Sequence, residues 1–125
     1  MTGSEGRGRR IKLKRIYLPP EESDGRRILV ERLWPRGLTR EAAAIDAWAK
    51  DVAPSPELRK WYAHDVSKWP AFQARYMDEL RGNTEAVGEL KKLCRRGAVS
   101  FLFAAKDEAH NSAVVLKAFL ERAGL

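Results

Sequence analysis

Arg32 and Arg36 stand four residues apart in the segment Glu31-Arg32-Leu33-Trp34-Pro35-Arg36-Gly37. In a turn, two guanidiniums so spaced can grip a phosphate or carboxylate through paired hydrogen bonds. A second segment, Lys106-Asp107-Glu108-Ala109-His110-Asn111, carries complementary chemistry. Lys106 adds a point charge. Asp107, three residues before His110, can orient an imidazole that would serve as general acid or base. Asn111 adds an amide. Trp34-Pro35 offers either a flat platform for a ring or a packing anchor. Gly37 allows a positive φ or a close backbone approach. Each group also has a purely structural role open to it: an arginine can pair with Glu31, Asp46 or Asp107, and His110 can be a surface residue near a cap. Ser112 is not flanked by a nucleophile-elbow pattern. His64 and His110 lack metal-ligand spacing, so no metal is expected. No cofactor signature is present.

The elements that must position these groups read as a mixed α/β pattern. Ile11 to Tyr17 predicts a strand with Ile11 and Leu13 on one face. Pro19-Pro20 through Asp24-Gly25 predicts a loop. Arg27 to Leu33 predicts a strand whose Ile28-Leu29-Val30 run is apolar on both faces, as in a covered central strand. Thr39 can cap a helix reaching about Asp51, with Ala42, Ile45, Trp48 and Ala49 as its stripe. Ser55-Pro56 starts another helix, carrying Leu58, Trp61 and Tyr62. For the following helix, Asp65 and Ser67 are both possible caps; Ser67 is preferred because Pro70 then falls at the third helical position. Its stripe is Trp69, Phe72, Tyr76 and Leu80. After Gly82-Asn83-Thr84 a further helix carries Val87, Leu90, Leu93 and Cys94, and Gly97 stops it. Ala98 to Ala104 predicts another strand, and Asp107 can cap the last helix, with Ala113, Leu116 and Leu120 as its stripe.

The expected architecture is therefore a single small α/β domain, residues 11–125, with a short, mostly parallel sheet of three or four strands flanked by several helices. Helical crossovers make the strands ending at Leu33 and Ala104 parallel if they pair. Their carboxyl ends then share one edge of the sheet. The loops after residues 33 and 105 would face each other there, where open α/β sheets build ligand sites.

At 125 residues and 44% apolar composition, one domain with a real core is the natural expectation. No apolar run is long enough to span a membrane. Met1 to Arg10 is polar, Gly-rich and basic, with no apolar region of a secretory signal, and is expected to be a disordered tail. The lone Cys94 excludes an intrachain disulfide and reads as a small buried hydrophobe. The cytoplasm is the default compartment. The net charge is +7, but acids and bases are interleaved, so the chain would attract anions or nucleic acid only weakly. Lys60, Lys68, Lys91, Lys92, Arg95 and Arg96 could form a basic face, although no base-reading motif accompanies them.

Asp24-Gly25, Val30-Glu31-Arg32-Leu33-Trp34-Pro35-Arg36-Gly37, Lys50 to Trp61 and Ala104 to Asn111 together resemble the YeaO-like family, part of a large group known as a domain of unknown function. The resemblance spans about residues 11 to 122. It implies a small cytosolic bacterial α/β domain and brings no established reaction. Leu18 and Glu31 stand where the family pattern has aspartates, and Arg26 where it has an aromatic. Members of the broader group often carry two cysteines near the positions of Phe103 and Asn111; neither is a cysteine here, so thiol or metal chemistry does not carry over.

The functional expectation is binding of an anionic small molecule, such as a nucleotide or phosphorylated metabolite, at the strand carboxyl ends. Arg32, Trp34, Arg36, Gly37, Lys106 and Asn111 would bind, with His110 and Asp107 as the candidate catalytic pair. Two alternatives stand beside it: a nucleic-acid- or protein-binding accessory module using the basic surface, and an enzyme of unstated reaction using His110.

Overall fold

Residues 11–125 are described by a computed structural model; the expected tail, residues 1–10, lies outside the described residues. Four strands, β1 (Ile11–Arg15), β2 (Arg26–Leu29), β3 (Ala47–Trp48) and β4 (Val99–Phe103), form one all-parallel sheet in the order β1-β4-β2-β3. The last strand in sequence is thus central. All five of its residues are buried, which is why the run is apolar on both faces. The one hydroxyl within it, Ser100, donates to the Asp24 carbonyl at 2.8 Å, so no polar group there is left without a partner.

Side chains alternate across the sheet, as strand geometry requires. Ile28, Val30, Phe101 and Phe103 face the larger core, formed with helices α2 (Pro56–Tyr62), α3 (Trp69–Gly82), α4 (Thr84–Arg95) and α5 (Ser112–Arg122). Leu29 and Leu102 face a smaller cluster on the other side, with Ile16 and Ala43 and the half-buried Trp34 and Trp48. The helical stripes expected for α2 to α5 fall on the core face, and Cys94 is fully buried. Burial pushes its thiol up to about 11, as for a packing residue.

Three local expectations are corrected. The helix from Thr39 is one turn, α1 (Arg40–Ala43). Thr39 does cap it, accepting from the Ala42 amide at 3.0 Å, but Ala44 turns left-handed and ends it. Asp46 then pairs with the β2 edge, exchanging bonds with Arg27 through its amide (2.7 Å) and its carboxylate (2.8 Å). Ala47–Trp48 becomes β3, so the three- and four-residue spacing read as a helical stripe belongs to an edge strand. Before α3, Asp65 and not Ser67 is the cap: its carboxylate accepts from the Ser67 amide at 3.1 Å, opening a 3-10 turn (Val66–Lys68) that leads into α3. Pro70 is then absorbed within the first two positions of α3, where no intrahelical donor is lost. Before α5, the cap is Asn111 and not Asp107: Asn111 Oδ1 accepts from the Val114 amide at 3.2 Å.

A buried charge cluster ties the start of β2 to its surroundings. Asp24, only 3% exposed, accepts from Lys14 Nζ (2.9 and 3.0 Å), Arg27 Nη1 (2.6 Å) and the Glu21 amide (2.9 Å). Burial opposes its charge, but these donors, Lys14 foremost, hold the carboxyl below its ordinary range. The next residue must be glycine for two reasons. Gly25 has φ +67°, and a Cβ there would lie 2.3 Å from the Ala98 carbonyl oxygen.

Candidate functional site

Beyond Leu29 the β2 ladder stops, with Val30 still donating to the Leu102 carbonyl at 3.3 Å. Glu31, Arg32 and Leu33 then line a cavity of about 310 Å³. Ala104 and Ala105, just past β4, form the facing wall with His110, Asn111 and Ser112. The two loop segments therefore meet at the carboxyl edge of the sheet, the place where parallel topology brings adjacent strand ends together. Tyr62 and Phe72, stacked at 4.5 Å between ring centroids, supply apolar lining; Arg59 and His64, both exposed, stand at the rim.

Glu31 is fixed at both its backbone and its side chain. Trp48 Nε1 donates to its carbonyl at 2.6 Å. Its Oε2 accepts from the Ala104 amide at 3.0 Å, joining the ends of β2 and β4. Burial pushes the carboxyl above its ordinary range, opposed by the Ala104 amide and by the positive charge of Arg59.

Arg32 is held from the opposite side. Its Nη2 donates to the Ala53 carbonyl at 3.2 Å, and its Nε is buried with no partner among the described residues. The 53–55 segment that holds it is itself tied down by hydrogen bonds on both sides. Tyr76 Oη donates to the Val52 carbonyl at 2.5 Å, and Glu79 accepts from the Ser55 amide and hydroxyl at 2.9 and 2.6 Å. Ser55 Oγ in turn accepts from the Leu58 amide at 3.1 Å, capping α2. At the other end of α2, Ala63 and His64 have φ of 46° and 59°. Two successive non-glycine residues in the left-handed region are uncommon. The turn they make brings His64 to the cavity.

His110 lies before α5 and not in its first turn. The expected orientation by Asp107 is present: Nδ1 is 3.0 Å from Oδ2 and 3.2 Å from Oδ1. The same carboxylate accepts from the Ala109 and His110 amides at 2.9 and 3.0 Å. The Ala109 amide, followed by the His110 ring, holds it below the ordinary carboxylate range. With Nδ1 turned to the carboxylate, Nε2 is the nitrogen left for other partners. The imidazole also sits edge-on to Trp69 at 5.2 Å, and Tyr62 Oη is 3.4 Å from the His110 carbonyl.

The remaining candidate residues fall elsewhere. Asn111 lines the cavity, but its side chain is spent on capping α5 and on a 2.9 Å bond from Nδ2 to the Asp107 carbonyl. Trp34 takes the packing role: Nε1 donates to the Leu38 carbonyl at 2.6 Å, the ring meets Trp48 edge-on at 5.4 Å, and the Arg40 guanidinium lies 4.5 Å from its centroid. Arg36 is exposed and contributes its carbonyl to Tyr17 Oη at 2.9 Å. Gly37 has φ +75° with open space where a Cβ would be, so it serves the turn and not a close approach. Lys106 is exposed and, like Arg36 and Trp34, does not line the cavity. Arg59, Tyr62 and His64 were not singled out as site residues by the sequence. Glu31 had one signal, a carboxylate ending an apolar strand. Among the described residues no group of three or more His, Cys, Asp or Glu could hold a metal ion, and no helix is long and apolar enough to cross a membrane.

A family model described as "Inactive DUF488-N3 subclade" matches residues 10–124. The chain is 39% identical to "Uncharacterized protein YeaO" of Escherichia coli over 110 residues, covering 88% of this chain and 96% of that protein. It is also 39% identical to "Uncharacterized protein Rv3073c" of Mycobacterium tuberculosis over 111 residues, covering 89% and 93%. No solved structure matches the chain. With both the family model and these relatives covering nearly its whole length, the protein belongs to the YeaO-like DUF488 family.

Proposed function

We propose that the protein is a cytosolic domain that binds a small anionic metabolite, one bearing a carboxylate or a single phosphate, in the cavity at the carboxyl ends of β2 and β4. The observation that carries this reading is Arg32: a guanidinium pinned by the Ala53 carbonyl at the cavity wall, with its Nε buried and unpartnered. A buried donor without an acceptor costs about 1–3 kcal/mol, so the protein satisfies this guanidinium only in part, and an anion in the cavity would pair with its charge. Arg59 at the rim adds a second charge, and His110, oriented by Asp107, adds a ring nitrogen. The volume is at the lower end for small-molecule pockets, which favours a compact ligand over a dinucleotide. The description of the matching family as inactive accords with binding without turnover.

Calorimetric titration with phosphate and carboxylate metabolites tests this. Arg59→Gln, at an exposed position, should weaken binding about tenfold, since hydrogen bonds to charged groups contribute about 1.5–3 kcal/mol. Arg36→Ala, outside the cavity, should leave binding unchanged. Equal affinity in wild type and Arg59→Gln, or loss only in Arg36→Ala, would refute the placement.

A further inference from the structure

Charges of both signs meet in the cavity and do not neutralise one another. Glu31 makes no ion pair among the described residues; its Oε2 takes the Ala104 amide and its Oε1 has no partner. Arg32 spends its bonds on a backbone carbonyl and keeps a buried Nε–H free. Arg59 is near enough for its charge to act on Glu31, yet the two form no hydrogen bond. Charges taken out of water are ordinarily paired. Here the backbone prevents it. The Ala104 amide and the Trp48 indole anchor Glu31 to the strand ends, while the Ala53 carbonyl holds Arg32. A cavity lined by an anchored carboxylate, an anchored guanidinium and the exposed Arg59 fits a ligand of two unlike ends.

We propose that the ligand is a hydroxylated anion, of the polyol- or sugar-monophosphate class, whose anionic end meets Arg32 and Arg59 and whose hydroxyl donates to Glu31. This rests on the anion-binding reading above and adds the identity of the second end. Glu31 is then the specificity-determining residue: it contributes nothing to holding a bare anion and selects those that carry a donor. An anion lacking a hydroxyl would displace water from Glu31 Oε1 without replacing its hydrogen bond, which is the condition under which a polar site discriminates most strongly.

The test is calorimetric titration of the full chain with glycerol 3-phosphate and with n-propyl phosphate, a matched pair that differs only in hydroxyls. Glycerol 3-phosphate should bind about tenfold more tightly or better, the fold-change of one hydrogen bond to a charged group. In Glu31→Gln the side-chain oxygen still accepts from Ala104, and the amide nitrogen turns a donor toward the ligand; the preference should fall to about threefold or less on the same scale. Equal affinity of the two phosphates for wild type overturns the hydroxyl assignment and leaves the anion reading standing. A preference that persists in Glu31→Gln overturns the role of Glu31. Absence of binding by either phosphate at millimolar concentration overturns this assignment; the anion reading falls with it only if the carboxylate titrations above are also negative.

Discussion

Replacing Asp24 with asparagine should destabilise the fold by about 3 kcal/mol. The substitution keeps the shape of the side chain and one acceptor for the Glu21 amide. It removes the charge on which Lys14 and Arg27 converge, and those two side chains are only 12% and 5% exposed. Lys14 keeps Glu21 at 3.0 Å as a partner, and Arg27 keeps the Ala43 carbonyl at 2.7 Å. The cost therefore belongs near the low end of the 3–5 kcal/mol seen when one member of a buried pair is removed. For a domain of 125 residues this is a fall of about 10 °C in Tm. The pH dependence gives a second handle. The folded Asp24 carboxyl lies below its ordinary value of 3.8, so its contribution is present above that pH and is lost as pH falls through the folded value. Lys14 has the opposite sign. Although burial opposes it, the bond to Asp24 raises it above its ordinary 10.5, so its contribution is present below that pH and is lost as pH rises through the folded value. Urea melts of wild type and Asp24→Asn should thus differ most near neutrality and converge in acid. A gap of less than about 1 kcal/mol at pH 7, the scale of an exposed pair, would refute the view of this cluster as a structural node. So would a gap unchanged at pH 2.

Two glycines should respond differently to alanine. Gly25→Ala meets both a positive φ and the Ala98 carbonyl, so a loss of several kcal/mol or failure to fold is expected. Gly37→Ala meets only the positive φ, at about 1 kcal/mol; thermal melts of the two variants check the ranking. Cys94 should resist a thiol-specific reagent in the native protein and react at once in denaturant, because the sulfur is buried and its thiol is pushed up to about 11. Rapid labelling without denaturant would show that α4 opens easily.

The centre of the sheet was legible from the sequence because β4 and the end of β2 have no polar face to blur them. Ile28-Leu29-Val30 and Phe101-Leu102-Phe103 could only be central, and helical crossovers made them parallel. Their parallel ends brought Glu31 to Leu33 and the segment from Ala104 to Ser112 to one cavity, while Trp34, Arg36 and Lys106, expected there as well, fall outside it. The errors came where local pattern was too short to decide. Ala42, Ile45 and Trp48 fit a helix by spacing, but the bonds of Asp46 to Arg27 drew the chain into an edge strand, a tertiary effect invisible in a window of ten residues. Asp107 and Asn111 are both good caps; which one is used depends on where the chain leaves the sheet. The site residues missed, Arg59 and His64, reach the cavity only through the packing of α2 and the left-handed turn at Ala63, and neither has a local signature. Arg36 shows the converse: its pairing with Arg32 looked chemical, but the chain turns away between them to bury Trp34.

The place of β4 in the sheet has a consequence for how the protein is made. Ile11 finds its partner in Val99, and Arg26 finds the same residue from the other side. A chain emerging from the ribosome can form α2, α3 and α4 early, since their contacts are near in sequence. Its first strand has nothing to pair with until Val99 to Phe103 have been synthesised. Long-range parallel pairing of this kind is slow. The nascent chain must therefore hold β2 without its β4 partner, with at most the two residues of β3 beside it, through most of translation. Stalling or truncation before residue 99 should yield a species with helices but without the central strand, which sticks to itself or to a chaperone.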